Sequence, residues 1–265
     1  MDFNKISSPF DCLLFDLDDT LYPSGLGIAQ ACKRNIEEFL VRKFGVGEER
    51  ATFLRAEYFR SYGSTLAGLL ALGHDVHPDE YHSFVHGRLP YENIRPDPKL
   101  RQLLLSTPQT KIMFTNSDRK HAKKVLEKLG IEEEIFECII CFETLNPHLF
   151  KTNNSSTEVI LKPSLSAVEV AIRLAGSDPH HTLFLDDSER NIAAGKALGL
   201  RTVLVGKRVK TNEADYLVDG MFNLKAMIPE IWGQKKKNAN ANEEHDSIVM
   251  RIELDSIRPT TTIEA

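Results

Sequence analysis

The sequence predicts an α/β protein built on a doubly wound, Rossmann-like parallel sheet, with an all-helical domain inserted after the first strand. Three observations carry this expectation. Short runs that are apolar on both faces alternate with helical patterns, as strands covered by helices on both sides require. The helical patterns stop at glycine, the usual terminator just past a helix end. From Ser24 to about Ser106 the periodicity is helical, with no convincing strand, over a stretch far longer than a normal strand-to-helix loop.

Asp11–Asp16 reads as the first strand, Cys-Leu-Leu-Phe closed by an acid. In the insert, Ile28, Ala31, Cys32, Ile36, Phe39 and Leu40 line one face of a helix that Gly45 ends. Further helices fit Glu48–Tyr62, Ser64–Leu72 and Pro78–Val85, and Pro96 and Pro98 mark the return to the core. Thr110–Thr115 is the second strand and Phe136–Phe142 the third. Thr182–Leu185, again ending in acids, is the fourth, and Arg201–Val205 the fifth. Between them lie helices at Lys120–Leu129, Ser164–Ala175 and Asn191–Leu198, stopped by Gly130, Gly176 and Gly199. The expected division is a catalytic core of residues 1–21 and 96–232, a helical cap of 22–95, and a polar, disordered tail of 233–265 that begins near Lys235-Lys236-Lys237.

Composition sets the outer limits. The chain has 265 residues, 42% hydrophobic and 27% charged, an ordinary globular balance. Its net charge of −5 argues against a nucleic-acid polymer as partner, which needs a basic field. No run is long and apolar enough to cross a membrane, and Met1 to Phe10 lacks a secretory pattern, so the expected address is cytoplasmic. In that compartment Cys12, Cys32, Cys138 and Cys141 are expected as free thiols. Cys138 and Cys141 form a CxxC, but inside a strand, residues three apart point to opposite faces.

The polar residues gather at strand ends. Asp16, Asp18 and Thr20 follow the first strand, Thr115, Asn116 and Ser117 the second, and Asp186 and Asp187 the fourth. In open α/β sheets, ligands bind beyond these carboxyl ends. Four aspartates in one crevice repel one another, and a divalent cation relieves that repulsion. Oxygen-only donors favour a hard ion, Mg²⁺ over Zn²⁺. Lys162, just before Pro163, offers a fixed positive charge for the same crevice.

Asp16-Leu17-Asp18-Asp19-Thr20 resembles the DxDx(T/V) signature of the haloacid dehalogenase superfamily, and Thr115-Asn116, Lys162 and Asp186-Asp187 match its remaining motifs in order. The insert after the first motif resembles that family's C1 cap. The resemblance implies a Mg²⁺-dependent phosphatase with Asp16 as nucleophile and Asp18 as general acid and base. It implies Asp16, the Asp18 backbone carbonyl and Asp186 as metal ligands, with Asp187 in support. Thr115 and the Asn116 backbone would bind phosphate, and Lys162 would neutralise charge. Asp18 also speaks for ester hydrolysis over dehalogenation, because an alkoxide leaving group needs a proton and a halide does not.

The substrate is expected to be a small phosphate ester, with the cap choosing among esters. His86, Arg88 and Tyr91 in the cap, Tyr22 and Ser117 near the motifs, and Arg190 and Asn191 after the last motif are the candidate contacts. His82 and His86, four apart on a helix, also admit a zinc reading. Cys12–Tyr22, Tyr58–Gly73 and Tyr81–Tyr91 are similar to plant members of the pyrimidine 5′-nucleotidase-like branch. That similarity implies a nucleoside 5′-monophosphate, in its most specific form xanthosine monophosphate (XMP) in purine catabolism. A pyrimidine nucleotidase and a broad sugar- or cofactor-phosphate phosphatase are the alternatives. A phospho-aspartate receiver is the distant one, since receivers place the acidic pair before the acceptor and here Asp186-Asp187 comes last.

Overall fold

The computed structural model describes residues 8–151 and 158–233. The tail expected from 233 onward thus lies, from 234, outside the described residues. So do Asn153 and Asn154, each of which begins an Asn-x-Ser pattern.

Six parallel strands form one sheet in the order β3-β2-β1-β4-β5-β6. They are β1 (Cys12–Phe15), β2 (Thr110–Phe114), β3 (Cys138–Ile140), β4 (Thr182–Asp186), β5 (Arg201–Val205) and β6 (Tyr216–Val218). The doubly wound α/β class is therefore observed. β6 was not anticipated: three residues between Asp215 and Asp219 are too few to show a period. β3 is shorter than expected because Cys141 leaves the strand to cap a four-residue helical turn, Phe142–Leu145. All four cysteines are free.

Period-two alternation along the strands divides the core into two layers. Leu13, Phe15, Met113, Leu183, Leu185 and Val203 face one cluster, with Val125 and Leu126 of the Arg119–Leu129 helix. Leu14, Ile112, Phe114, Phe184 and Leu204 face the other, with Val168 of the Leu165–Ala175 helix and Ile192 of the Glu189–Ala197 helix. The strands read as continuous apolar runs because both faces are buried.

Among the described residues five α-helices stand between β1 and β2 in sequence, and the first four make up the insert: α1 (Ile28–Phe44), α2 (Glu48–Tyr62), α3 (Thr65–Ala71) and α4 (Pro78–Val85). The Asn35 side chain, buried on α1, donates to the Val85 carbonyl at 2.8 Å and so ties α1 to the end of α4. Phe39 meets Tyr81 and Phe84 edge-on. Asp97 then caps the Pro98–Ser106 helix by accepting from the Lys99 and Leu100 amides.

Between β3 and β4 the described chain around Ile160 is held by an asparagine side chain. Asn146, with no exposed surface, accepts from the Ile160 amide at 2.7 Å and donates to the Ile160 carbonyl at 3.0 Å. It serves that residue as a neighbouring strand would. Asn146→Ala orphans both backbone groups, and a loss of about 3 kcal/mol is expected. Urea unfolding of parent and variant measures it; a loss below about 0.5 kcal/mol, the range of a neutral surface change, rules the clamp out.

Candidate active site

The sheet order places the site. β1 lies at the centre, and the chain proceeds outward through β2 and β3 on one side before returning to β4 on the other. That reversal opens a crevice at the carboxyl ends of β1, β2 and β4. Asp16 follows β1 directly, and its amide donates to the Leu185 carbonyl at 2.9 Å. Asp186 closes β4. The Thr115 amide donates to the Ile140 carbonyl at 2.9 Å and extends the β2 ladder by one residue.

Lys162 reaches this crevice without a strand. Asn116, just past β2, accepts from the Lys162 amide at 2.8 Å and donates to its carbonyl at 2.9 Å, repeating the Asn146 clamp two residues further on. The lysine is buried, and its ammonium spends three hydrogen bonds internally. It donates to Asp16 Oδ1 at 2.7 Å, Asp186 Oδ2 at 2.8 Å and the Phe114 carbonyl at 2.6 Å. Burial alone would lower its pKa, but the charges of Asp16 and Asp186 outweigh burial and hold it above the usual lysine range.

Asp16 takes the remaining strain. Burial pushes its carboxyl well above the usual range; Lys162 opposes that, and Asp186 and Asp18 add to it. Its Oδ2 accepts from Thr20 at 2.8 Å. Asp186 Oδ1 accepts from the Ser188 amide at 2.8 Å and from Asn191 at 2.9 Å. Asp187 faces Lys207 at 3.4 Å, and burial raises its carboxyl as well. Oxygen atoms of Asp16, Asp186 and Asp187 lie within 4.8 Å of one another. Among the described residues this is the group that could hold a metal ion, and its oxygen-only donors fit Mg²⁺. His82 and His86 belong to no such group, which leaves the zinc reading without support.

Asp18 turns the other way, towards the insert. Burial would raise it, yet His121, with hydrogen bonds from Tyr22 and Ser117, outweighs burial and holds it well below the carboxylate range. Its neighbour Asp19 has left-handed backbone (φ 59°), which costs a residue with a Cβ, and its carboxyl is raised to about 6 by burial and by Asp187.

Between insert and core lies a cavity of about 520 Å³. Asp18, Asn116 and Ser117 form its floor, Ile36, Leu66, Tyr81 and Phe142 part of its wall, Lys33 adds positive charge, and Arg55 lines it while paired with Glu37 at 2.8 Å. Tyr22 and His86, named from the sequence, line it too. Arg88, Tyr91, Arg190 and Asn191 do not. Arg88 pairs with Glu38 at 2.6 Å and covers Phe84. Tyr91 meets His121, Arg190 is exposed, and Asn191 supports Asp186.

Sequence reasoning missed a cluster of rings. His82 and His86 stack with centroids 5.4 Å apart, and His86 approaches His121 at 4.7 Å. His86 pairs with Asp118. Burial, aided by the charge of His86, drives His82 down to about 3. The signal available was Asp118, an N-cap acid, with His121 three residues on in the first turn.

A model of the haloacid dehalogenase-like hydrolase family matches residues 10–199. Phosphate metabolism protein 8 of Saccharomyces cerevisiae is 27% identical over 199 residues, covering 72% of this chain and 60% of that protein, so the chain spans about three fifths of that relative's length. A HAD phosphatase from Thermococcus onnurineus superposes with TM-score 0.56 at 17% identity, over 82% of this chain and 96% of that one. CbbY from Rhodobacter sphaeroides, in complex with phosphate, does so with TM-score 0.55 at 18% identity, over 81% and 96%. At such identities the two structures speak for the fold alone.

Lys162→Met leaves two buried carboxylates without their cation, a loss of about 3–5 kcal/mol at pH 7.5. With the lysine gone, the raised Asp16 pKa makes the folded state bind the extra proton, so the deficit shrinks as pH falls towards the carboxylate range. Urea midpoints of parent and variant from pH 8 to pH 5 test this; a deficit that grows with acid contradicts it.

Proposed function

The chain belongs to the haloacid dehalogenase-like hydrolase family, and on that premise we propose that it is a Mg²⁺-dependent phosphomonoesterase working through a phosphorylated Asp16. The observation that carries this reading is the buried Asp16–Lys162–Asp186 cluster at the carboxyl edge of the sheet, beside a cavity with Asp18 in its floor. A phosphate ester needs positioning and charge neutralisation above all, and this arrangement offers both.

The residues divide the work as follows. An Asp16 oxygen attacks phosphorus, the bond to the ester oxygen breaks, and its electron pair stays with the leaving oxygen. That oxygen takes a proton from Asp18. Asp18 rests ionised, and a phosphate arriving beside it favours its protonated form by like-charge repulsion. Water then gives a proton to Asp18 and attacks phosphorus, releasing phosphate and restoring Asp16. Thr115 and the Asn116 amide bind phosphate oxygens, and Lys162 keeps the buried carboxylates compatible with the incoming anion. Asp16, Asp186 and the Asp18 carbonyl would hold Mg²⁺, with Asp187 in support; the ion would neutralise phosphate charge.

The substrate we propose is a nucleoside 5′-monophosphate. A volume of about 520 Å³ falls in the usual range of small-molecule sites, and aromatic and aliphatic walls suit a base. In this reading residues 22–95 are a cap that selects the substrate from within a core of 1–21 and 96–232. The most specific form is hydrolysis of XMP to xanthosine and phosphate, in cytoplasmic purine catabolism, supported by the resemblance to plant XMP phosphatase; Lys33 suits an electron-rich base. A pyrimidine nucleotidase and a broader phosphatase remain the alternatives. The yeast relative's name ties that protein to phosphate metabolism and accords with either.

Phosphate release across purine and pyrimidine monophosphates and sugar phosphates, with Mg²⁺ and with chelator, tests the proposal. One favoured nucleotide, dependent on Mg²⁺, supports it; release from no ester sinks it. Asp16→Asn should lower the rate by more than about a thousandfold with the thermal midpoint retained.

A further inference from the structure

His121 does work that the mechanism above leaves unassigned. It is buried, with 2% of its surface exposed, and both ring nitrogens are engaged. Nε2 lies 2.8 Å from Asp18 Oδ1, and Nδ1 lies 2.8 Å from the Tyr91 hydroxyl. An ionised carboxylate only accepts, so Nε2 donates to Asp18. Tyr91 stands in the 3₁₀ turn Tyr91–Asn93, on the return from the helical insert, whereas His121 stands in the first turn of the core helix Arg119–Leu129. The chain Tyr91–His121–Asp18 therefore runs from the insert to the carboxylate in the cavity floor. A second link joins the same parts, because His86, just after α4, pairs with Asp118, the cap of the His121 helix.

Tyr22 and Ser117 also bind Asp18 directly, Tyr22 from the start of the 22–95 insert and Ser117 from the segment after β2. Of the two core donors, His121 is the one bonded to the returning end of the insert, through Tyr91. We propose that His121 is a positioning residue for Asp18, and that through it Tyr91 makes the alignment of Asp18 depend on the insert lying against the core. This rests on reading Asp18 as the general acid. When the insert moves off, His121 loses the Tyr91 hydroxyl that holds its ring, and the donor it offers Asp18 is no longer fixed, although Ser117 still binds the carboxylate.

The test separates positioning from plain structure by the leaving group. A nucleoside alkoxide needs a proton as it departs; p-nitrophenolate does not. The quantity to compare is kcat/KM, which covers steps up to departure of the leaving group. His121→Asn, whose amide reaches the Nδ1 position but not Nε2, should lower kcat/KM about 100-fold for a nucleoside monophosphate. It should leave p-nitrophenyl phosphate within about threefold, since that ester needs no general acid. His121→Gln restores a donor near Nε2 and should recover about tenfold of the loss. Tyr91→Phe, which removes one oxygen, should cost about fivefold on the nucleotide and nothing on the aryl ester. Equal losses on both esters, or a glutamine variant no better than asparagine, overturn the proposal. If His121→Asn does not fold, the glutamine and Tyr91→Phe variants decide by the same ratio. A parent that hydrolyses neither ester refutes instead the phosphatase reading, and this inference falls with it.

Discussion

Lys162 Nζ sits between Asp16 and Asp186 and has no hydrogen left for water: three N–H bonds go to two carboxylates and the Phe114 carbonyl. Two buried acids share one buried base, so the cluster keeps a net negative charge. In a medium of low polarity that charge is costly until something positive arrives. The raised carboxyl of Asp16 expresses the same cost. A fold that accepts this cost holds an oxygen-rich, negatively charged place at the edge of its sheet, a donor set that fits a hard cation.

Much of the surrounding structure maintains that arrangement. The parallel register sets Phe15 beside Leu185 and Met113, which brings Asp16 next to Asp186 and level with the Thr115 segment. Lys162 belongs to no strand, and the backbone leading to it would lack partners without the clamps of Asn146 and Asn116. Phe114 and Phe184 present their rings to the ammonium at 4.9 and 5.6 Å and exclude water from it. One charge is thus held by amides, carbonyls and ring faces supplied from four separate stretches of chain.

The insert adds a different kind of control. Its helices close a cavity over Asp18 while leaving Asp16 and Asp186 in the core. The Asp18 carboxylate lies where the two parts meet, facing the cavity on one side and the His121–Tyr91 pair on the other. The histidine rings fill the seam between the two parts. His82 stays neutral there, because burial leaves no room for another charge beside His86.

The amino-acid sequence alone determined the class of the fold, five of the six strands, the helical insert, and the acids and lysine of the central cluster. Those features are local: a period of two or of 3.6, a glycine stop, an acid at the end of an apolar run. The pairings made at long range were not legible. Asn116 and Lys162 are 46 residues apart, and His121 and Asp18 are 103 apart. Tyr91 read as a substrate contact and proved to face a histidine; Arg88 read likewise and faces Glu38. A side chain's type limits what it can bind, but its partner is chosen by which distant segments the packed core brings within 3 Å, and only the tertiary structure decides that.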